Sequence, residues 1–249
     1  MSNAGTQQAR TELAPTGILR AAINMGNPLL VTGRTDSGDP AGVSPDMARS
    51  IADSLGVDVR YVPYATPGEL GDALARDEWD IGLIAIEPAR AEVILFSKPY
   101  VEIEATYLVA ADAPYQSIDD VDAPGVLIAV SARSAYDLYL TRTLKHAELA
   151  RGAGLPGAFE LYVKERPQAL AGLRPALLED AQRLQNEHGI AARIIEGRFT
   201  SVTQAIGTRH SATAGAAYIE DFVAQAKTSG LVASLIEKHG VKGRLSVAP

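Results

Sequence analysis

The chain has no cysteine among its 249 residues, so neither a disulfide nor a thiolate can contribute to its stability or its chemistry. That lack is compatible with an oxidising compartment without requiring one. No apolar stretch approaches the roughly 20 residues that span a bilayer, so a membrane would have to be reached through a partner. Basic residues do not outnumber acidic ones, and the formal net charge of −7 leaves no basic footprint for nucleic acid. His146, His188, His210 and His239 stand singly, without the paired spacing of a metal site, and no G-x-S-x-G elbow or phosphate loop is present. No catalytic residue, metal or cofactor is therefore expected. The opening Met1-Ser-Asn-Ala-Gly-Thr-Gln-Gln lacks the basic-then-apolar pattern of a secretory signal, and residues 1–16 read as a flexible leader. What remains is an ordinary globular composition, 47% hydrophobic and 21% charged, enough for one or two compact lobes.

From Gly17 onward strands and helices alternate. Residues 18–23 read as a strand, followed by a turn, Asn24-Met-Gly-Asn27-Pro28, rich in residues that tolerate unusual backbone angles. Ser44 and Pro45 suit an N-cap and a first helical position, with Met47, Ile51 and Leu55 on one face and Gly56 as the stop. A strand over 57–62 and a helix over 67–76 lead to a third strand from Ile81, a βαβαβ unit with a parallel sheet. The extended run 101–110, with Glu102 and Glu104 at alternate positions, leaves one sheet and enters another.

A second α/β unit follows. It is expected to hold a strand over 125–130, a helix from Ala132 to about Ala150 with Ser131 as its cap, short strands at 159–163 and 169–171, a helix over 175–188, and a strand over 190–195. A second extended crossing, 200–207, and helices over 211–229 and 231–239 finish the chain. Gly152-Ala-Gly154-Leu-Pro-Gly157 fits G-x-G-x-x-G, but it reads as a loop behind a helix, without the strand and helix that a dinucleotide site needs.

The most informative stretch runs from Trp79 to Tyr100. Residues 81–86 are nearly all apolar, as in a strand covered on both faces. Pro88 suits the first helical position and puts Arg90 in the first turn beyond the strand's carboxyl end, where open α/β sheets collect ligands. A guanidinium there can hold a carboxylate by two parallel hydrogen bonds, or it can pair with Glu87 or Glu92 at the surface.

Several motifs in order resemble one family: Gly42-Val-Ser-Pro-Asp46 with Ile51-Ala-Asp-Ser-Leu-Gly56; Trp79-Asp80 leading to Pro88-Ala-Arg90-Ala and Phe96-Ser-Lys-Pro-Tyr100; and Gly125-Val-Leu-Ile-Ala-Val130-Ser131 with Ala135-Tyr136. The chain is similar, over about Leu19 to Val247, to the extracytoplasmic solute-binding proteins of ABC-type importers that carry polar amino acids, family 3. The resemblance implies an α/β, two-lobed periplasmic binding protein-like (type II) fold with two extended hinge crossings, lobe 1 from residues 17–105 and 206–249 and lobe 2 from 106–205. It implies a ligand clamped between the lobes, a membrane permease as partner, no nucleic acid, a monomer, and a periplasmic or other extracytoplasmic location. The absence of a signal pattern keeps a cytoplasmic location open.

In such binders the arginine matching Arg90 takes the α-carboxylate, and the turn Asn24 to Asn27 and the aromatic matching Tyr64 form a wall of the first lobe. The asparagines can equally serve the turn, and Tyr64 the core. In the second lobe Ser131 and Arg133 at a helix start would complete the anion site; the alternatives are a capping role for Ser131 and a solvent-facing Arg133. Tyr136 would add an apolar wall, and Arg174 and Gln204 are further candidates, Gln204 alternatively pairing with strand backbone. Ala85 and Glu87 stand where amino-acid binders often carry hydroxyls, and Leu173 falls where an aspartate usually receives the ammonium. A site with arginines and no acid should prefer an anion to a zwitterion. The expectation is thus a non-enzymatic protein binding a small carboxylate, an amino acid or a related organic acid. The alternatives are a cyclohexadienyl dehydratase-like enzyme using Glu104 or Glu87 as general acid, both acids otherwise being exposed or paired, and a signalling or cytosolic binding module.

Overall fold

The computed structural model describes residues 3–249, which divide into two compact units, one from residues up to Glu102 together with Thr203–Pro249, the other from Ile103–Val202. The first unit opens with α1 (Asn3–Leu13), β1 (Ile18–Asn24), β2 (Gly33–Arg34), β3 (Pro40–Ala41) and α2 (Val43–Leu55). It continues through β4 (Asp58–Tyr64), α3 (Pro67–Ala73), β5 (Ile81–Ala85), α4 (Pro88–Ala91) and β6 (Ile94–Phe96). The chain passes into the second unit along β7 (Val101–Ala110). There follow β8 (Leu127–Ser131), α5 (Ala135–Thr143), β9 (Glu148–Gly152), α6 (Gly154–Glu165), β10 (Ala169–Leu173), α7 (Arg174–His188) and β11 (Ala192–Ile194). It returns along β12 (Thr200–Arg209), and α8 (Thr213–Thr228), α9 (Leu231–Lys238) and β13 (Ser246–Val247) complete the first unit.

In the first unit β4, β1 and β5 run parallel in that order, and β12 pairs antiparallel with β5. All five residues of β5 are buried, as a strand covered on both faces requires. One face packs on Leu70, Ala73, Trp79 and Ile94, where Gly82 leaves room for the Trp79 ring. Trp79 spends its indole N–H on the Leu70 carbonyl at 3.0 Å, so burying it leaves no unsatisfied donor. α3 starts with a reciprocal capping box between Thr66 and Glu69.

Two expectations for this unit are corrected. α2 begins at Val43 with Gly42 as its cap, at φ 152, where a side chain would collide with the Leu30 carbonyl. Ser44, expected as the cap, instead shares a hydrogen bond of 2.8 Å with the buried Tyr100 hydroxyl. Within the stretch read as a leader, residues 3–13 are the helix α1; residues 1 and 2 lie outside those described. Ala9 and Leu13, four apart on one face, are fully buried, Leu13 lies against Gly215 of α8, and Glu12 accepts from the Gly215 N–H at 2.8 Å.

In the second unit β8 lies between β10 and β9, parallel to both, and β10 pairs antiparallel with β7. The helix expected from Ala132 to about Ala150 is only α5, and its last part is β9. The strand expected at 159–163 is part of α6. Ala158, Phe159 and Tyr162 are buried from one helical face, against Leu108, Ala129, Leu170, Leu177 and Leu184, a spacing that fits period 3.6 and not period 2. The glycine run 152–157, read as a loop, is the tight junction of β9 and α6, where a side chain on Gly152 would collide with the Gly157 backbone. No helix among the described residues is long and apolar enough to cross a membrane.

Candidate functional site

Register brings the carboxyl ends of the first unit's parallel strands together: Asn24 pairs with Tyr64, and Ile23 with Leu83 two residues before Ala85. Past Ala85 the chain stays extended, with the Ile86 N–H donating to the Thr203 carbonyl at 2.9 Å and Glu87 at φ −151, ψ 136. Side chains two apart on extended chain share a face, and so do directly opposed residues of an antiparallel pair. Ala85, Glu87 and Gln204, which lies opposite Ala85, therefore line one face.

Pro88 opens the single turn α4, which folds Arg90 back so that its Nη1 donates to the Ala85 carbonyl at 2.9 Å. Three polar side chains are buried here: Glu87 at 2% exposure, Gln204 at 3% and Arg90 at 7%. Among the described residues the Gln204 Oε1 meets no hydrogen-bond donor. A buried acceptor left in that condition costs about 1–3 kcal/mol. The reading of Gln204 as a partner for strand backbone therefore fails for its side-chain oxygen, and Glu87, read as exposed or paired with a neighbouring basic residue, is buried and not exposed.

Asn24 accepts from the Gly26 N–H at 3.1 Å and Asn27 from the Leu29 N–H at 3.1 Å, so both side chains shape the turn after β1. Tyr64 packs beside the Leu70–Trp79 cluster and donates to Glu78 Oε2 at 2.7 Å. Burial, and then the Glu78 carboxylate, push its phenol well above the ordinary tyrosine value. It is a partly buried residue at the edge of that cluster.

In the second unit Ser131 ends β8 and does not cap a helix. Ser134 is the cap of α5, accepting from the Asp137 N–H at 3.1 Å. Asp137 is buried, accepts from the Arg133 N–H at 2.7 Å and pairs with Arg151 at 3.0 Å. The helix start expected to receive an anion is thus occupied by a carboxylate of the chain itself. Arg133 is exposed, with the left-handed φ of 58 that this turn demands. Tyr136 is buried with its hydroxyl beside Ser131 and Ser134, yet that oxygen completes no hydrogen bond, and burial pushes its pKa up to about 12.

Arg174 donates to Glu104 Oε2 at 2.8 Å and to the Gly197 carbonyl. Glu104 is exposed and also faces Arg198 at 3.4 Å, the surface pairing that the sequence reading set against a role as general acid. Leu173 closes β10, buried.

Sequence reasoning overlooked Asp137, although Ser134-x-x-Asp137 is a helix-start signature. It also overlooked Asp180 on α7, whose carboxyl burial pushes up to about 6 against the opposing pull of Arg183. Among the described residues no group of three or more His, Asp or Glu side chains could hold a metal ion.

Over 148 residues the chain is 31% identical to the cyclohexadienyl dehydratase of Pseudomonas aeruginosa; the match covers 57% of this chain and 54% of that protein, so it spans about half the length of this relative. Among solved structures, ArgBP from T. maritima is similar with a TM-score of 0.73 at 22% identity, over 94% of this chain and 100% of that one. A binding component of an ABC transporter from Wolinella succinogenes, complexed with lysine, gives 0.73 at 20% identity, over 90% and 95%. The ancestral amino acid-binding protein AncCDT-1, a precursor of cyclohexadienyl dehydratase, gives 0.71 at 24% identity, over 91% and 97%. These likenesses show the fold, that of the type II periplasmic binding proteins. Residues 19–242 match the bacterial extracellular solute-binding proteins, family 3, and the chain belongs to that family.

Proposed function

We propose that this chain is the ligand-binding component of an ABC-type importer, holding a small carboxylate at Arg90 and delivering it, outside the cytoplasm, to a membrane permease. The protein would act as a monomer without catalysing a reaction. The observation that carries the reading is the buried Arg90 beyond the carboxyl end of β5, its guanidinium oriented by the Ala85 carbonyl. Ligands of open α/β sheets collect at such strand ends, and a fixed guanidinium is suited to a carboxylate. Family membership and the arginine and lysine complexes among the structural relatives support the ligand class.

The test is thermal unfolding, after unfolding and refolding to strip carried ligand, against amino acids, 2-oxo acids, aromatic carboxylates and prephenate. A ligand at 100 times its dissociation constant adds about 2.7 kcal/mol, or on the order of 5–10 °C for a chain of this size. A shift that disappears in Arg90→Ala supports the reading; no shift from any member overturns it.

One observation favours a second reading. The curated relative is a dehydratase, and Glu87 is a buried carboxyl three residues from Arg90, as a general acid in this place would have to be. Turnover of prephenate by the protein, lost in Glu87→Gln, would establish an enzyme in place of a carrier.

A further inference from the structure

We propose a second small-molecule site in the first unit, a surface cavity that takes an aromatic monocarboxylate at Arg209, apart from the candidate site at Arg90. The cavity measures about 450 Å³ and is lined by Gly71, Asp72, Leu74, Ala75, Val93 and Arg209. That volume lies within the roughly 300–1,000 Å³ of small-molecule pockets. Its place follows from register. Gln204 stands opposite Ala85 at the carboxyl end of β5, Gly207 opposite Gly82, and Arg209 opposite Ile94 of β6. The stretch of β12 from Gln204 to Arg209 is about 16–17 Å of extended chain, so the two places lie towards opposite ends of the ladder.

The walls are apolar and stay open to water. Val93 is 55% exposed, more than Ile18 or Leu178, the other large exposed hydrophobics among the described residues. Ala75, on the same cavity, is exposed and Leu74 half-buried. Apolar side chains exposed singly need no explanation, but a group that shares one concavity marks a binding surface. Gly71 lies inside α3, where alanine would favour the helix, and a Cβ there would meet nothing within 4 Å. No neighbour requires the glycine, and its effect is to keep the hollow wide. Arg209 supplies the polar contact. Its Nη2 donates to Asp77, which it shares with Arg20, and to the Trp79 carbonyl at 3.3 Å. Those bonds hold the guanidinium, while its Nε and Nη1 meet no acceptor among the described residues. Ionised donors bond most strongly to ionised acceptors, and a planar guanidinium also stacks on aromatic rings. A carboxylate on an aromatic ring answers both the donors and the apolar walls. Asp72, on the same lining, repels a second carboxylate and so restricts the site to monoacids.

The test is a titration of the isotopically labelled full chain, read at backbone amide resonances, with naphthalene-2-carboxylate, naphthalene-2-methanol and naphthalene-2,6-dicarboxylate. The monoacid should give saturable shifts at residues 71–75, 93 and 209, in wild type and equally in Arg90→Ala. It should bind at least about fivefold tighter than the alcohol or the diacid, since a hydrogen bond to a charged group carries discrimination of that size. Gly71→Phe, which fills the cavity, and Val93→Asp, which adds a negative charge at an exposed position, should each weaken the monoacid by about tenfold. The two variants act through different elements, so either one that keeps the wild-type spectrum elsewhere suffices. Absence of saturable shifts at these residues overturns the proposal, as does equal binding of the alcohol or the diacid, or binding that a folded variant leaves unchanged. Shifts that vanish in Arg90→Ala also overturn it, because the acid then occupies only the site at Arg90, and that site's role stands.

Discussion

At the strand ends of the first unit a guanidinium, a carboxylate and an amide are buried close to one another, and the amide oxygen finds no donor among the described residues. At the strand ends of the second unit the charges are satisfied internally: Asp137 holds the Arg133 N–H and Arg151, and Arg174 is held by Glu104 and the Gly197 carbonyl. Both units use parallel strands followed by helices, so architecture alone does not separate them. They differ in whether the charged and amide groups gathered there are answered by the chain, although the Tyr136 hydroxyl of the second unit also lacks a partner among the described residues. A satisfied cluster fixes local shape, while an unsatisfied buried acceptor costs stability and is poised for a partner. The first unit therefore reads as the one that recognises the ligand chemically, and the second as the more self-contained scaffold.

The sharpest way to break this contrast is to delete one arginine from each unit. Arg90→Ala should weaken carboxylate binding by about 3–5 kcal/mol, the cost of removing one partner of a buried charged pair. Arg174→Ala, whose guanidinium is committed to Glu104, should change binding by less than about threefold, since partly exposed ion pairs contribute little. Comparable losses from both, measured by calorimetry, would sink the division of labour.

Gly152→Ala tests the second unit as scaffold. The new methyl would collide with the Gly157 backbone at the β9–α6 junction, and overpacking of this kind costs about 3 kcal/mol. Chemical denaturation should show that loss.

Acid should act on the two units with opposite sign. The Asp180 pKa is raised to about 6 by burial, so in the folded state it binds a proton more readily than in the unfolded chain. Stability from this group therefore increases as pH falls from about 6 towards 3.8. Asp180→Asn should flatten that slope and stabilise the protein at pH 7, by on the order of 1–2 kcal/mol after allowance for solvent screening. In the first unit burial would raise the Asp46 pKa, but hydrogen bonds from Lys238 and His239 outweigh it and lower the value. Its stabilising contribution is present above the ordinary carboxylate range and is lost as pH falls through the depressed folded value. Melting curves between pH 3 and 7 on wild type, Asp180→Asn and Asp46→Asn would separate the two slopes.

The smallest effect sharpens the comparison most. Gln204→Met and Tyr136→Phe each remove a buried polar atom that lacks a hydrogen bond, so each should be neutral or stabilising by about 1 kcal/mol without added ligand. Only Gln204→Met should alter ligand binding. A binding defect in Tyr136→Phe of similar size would show that the second unit also reads the ligand's polar groups.

The alternation of apolar runs with helical signals was legible in the chain, as was the position of Arg90 after Pro88 at the end of a buried strand. Errors fell where local signals compete. Phe159 and Tyr162 belong to a short apolar segment that suits either period, and α1 has only Ala9 and Leu13 as anchors in a polar stretch. The caps of α2 and α5 were misplaced by a residue or more because Ser44 and Ser131 are good capping residues by type, while the actual cap depends on backbone angles and on neighbours such as Tyr100 and Asp137.

By itself, residue order determined the α/β class, the family pattern and the arginine at the mouth of β5. These rest on short-range periodicity and on proline's fixed geometry, which act within a few residues. Tertiary structure alone decided that Glu87 is buried, that Gln204 stands opposite Ala85 with an open acceptor, and that Arg174 is already held by Glu104. Burial and pairing arise from strands distant in the chain, and no local pattern records which partner, if any, a polar side chain will meet.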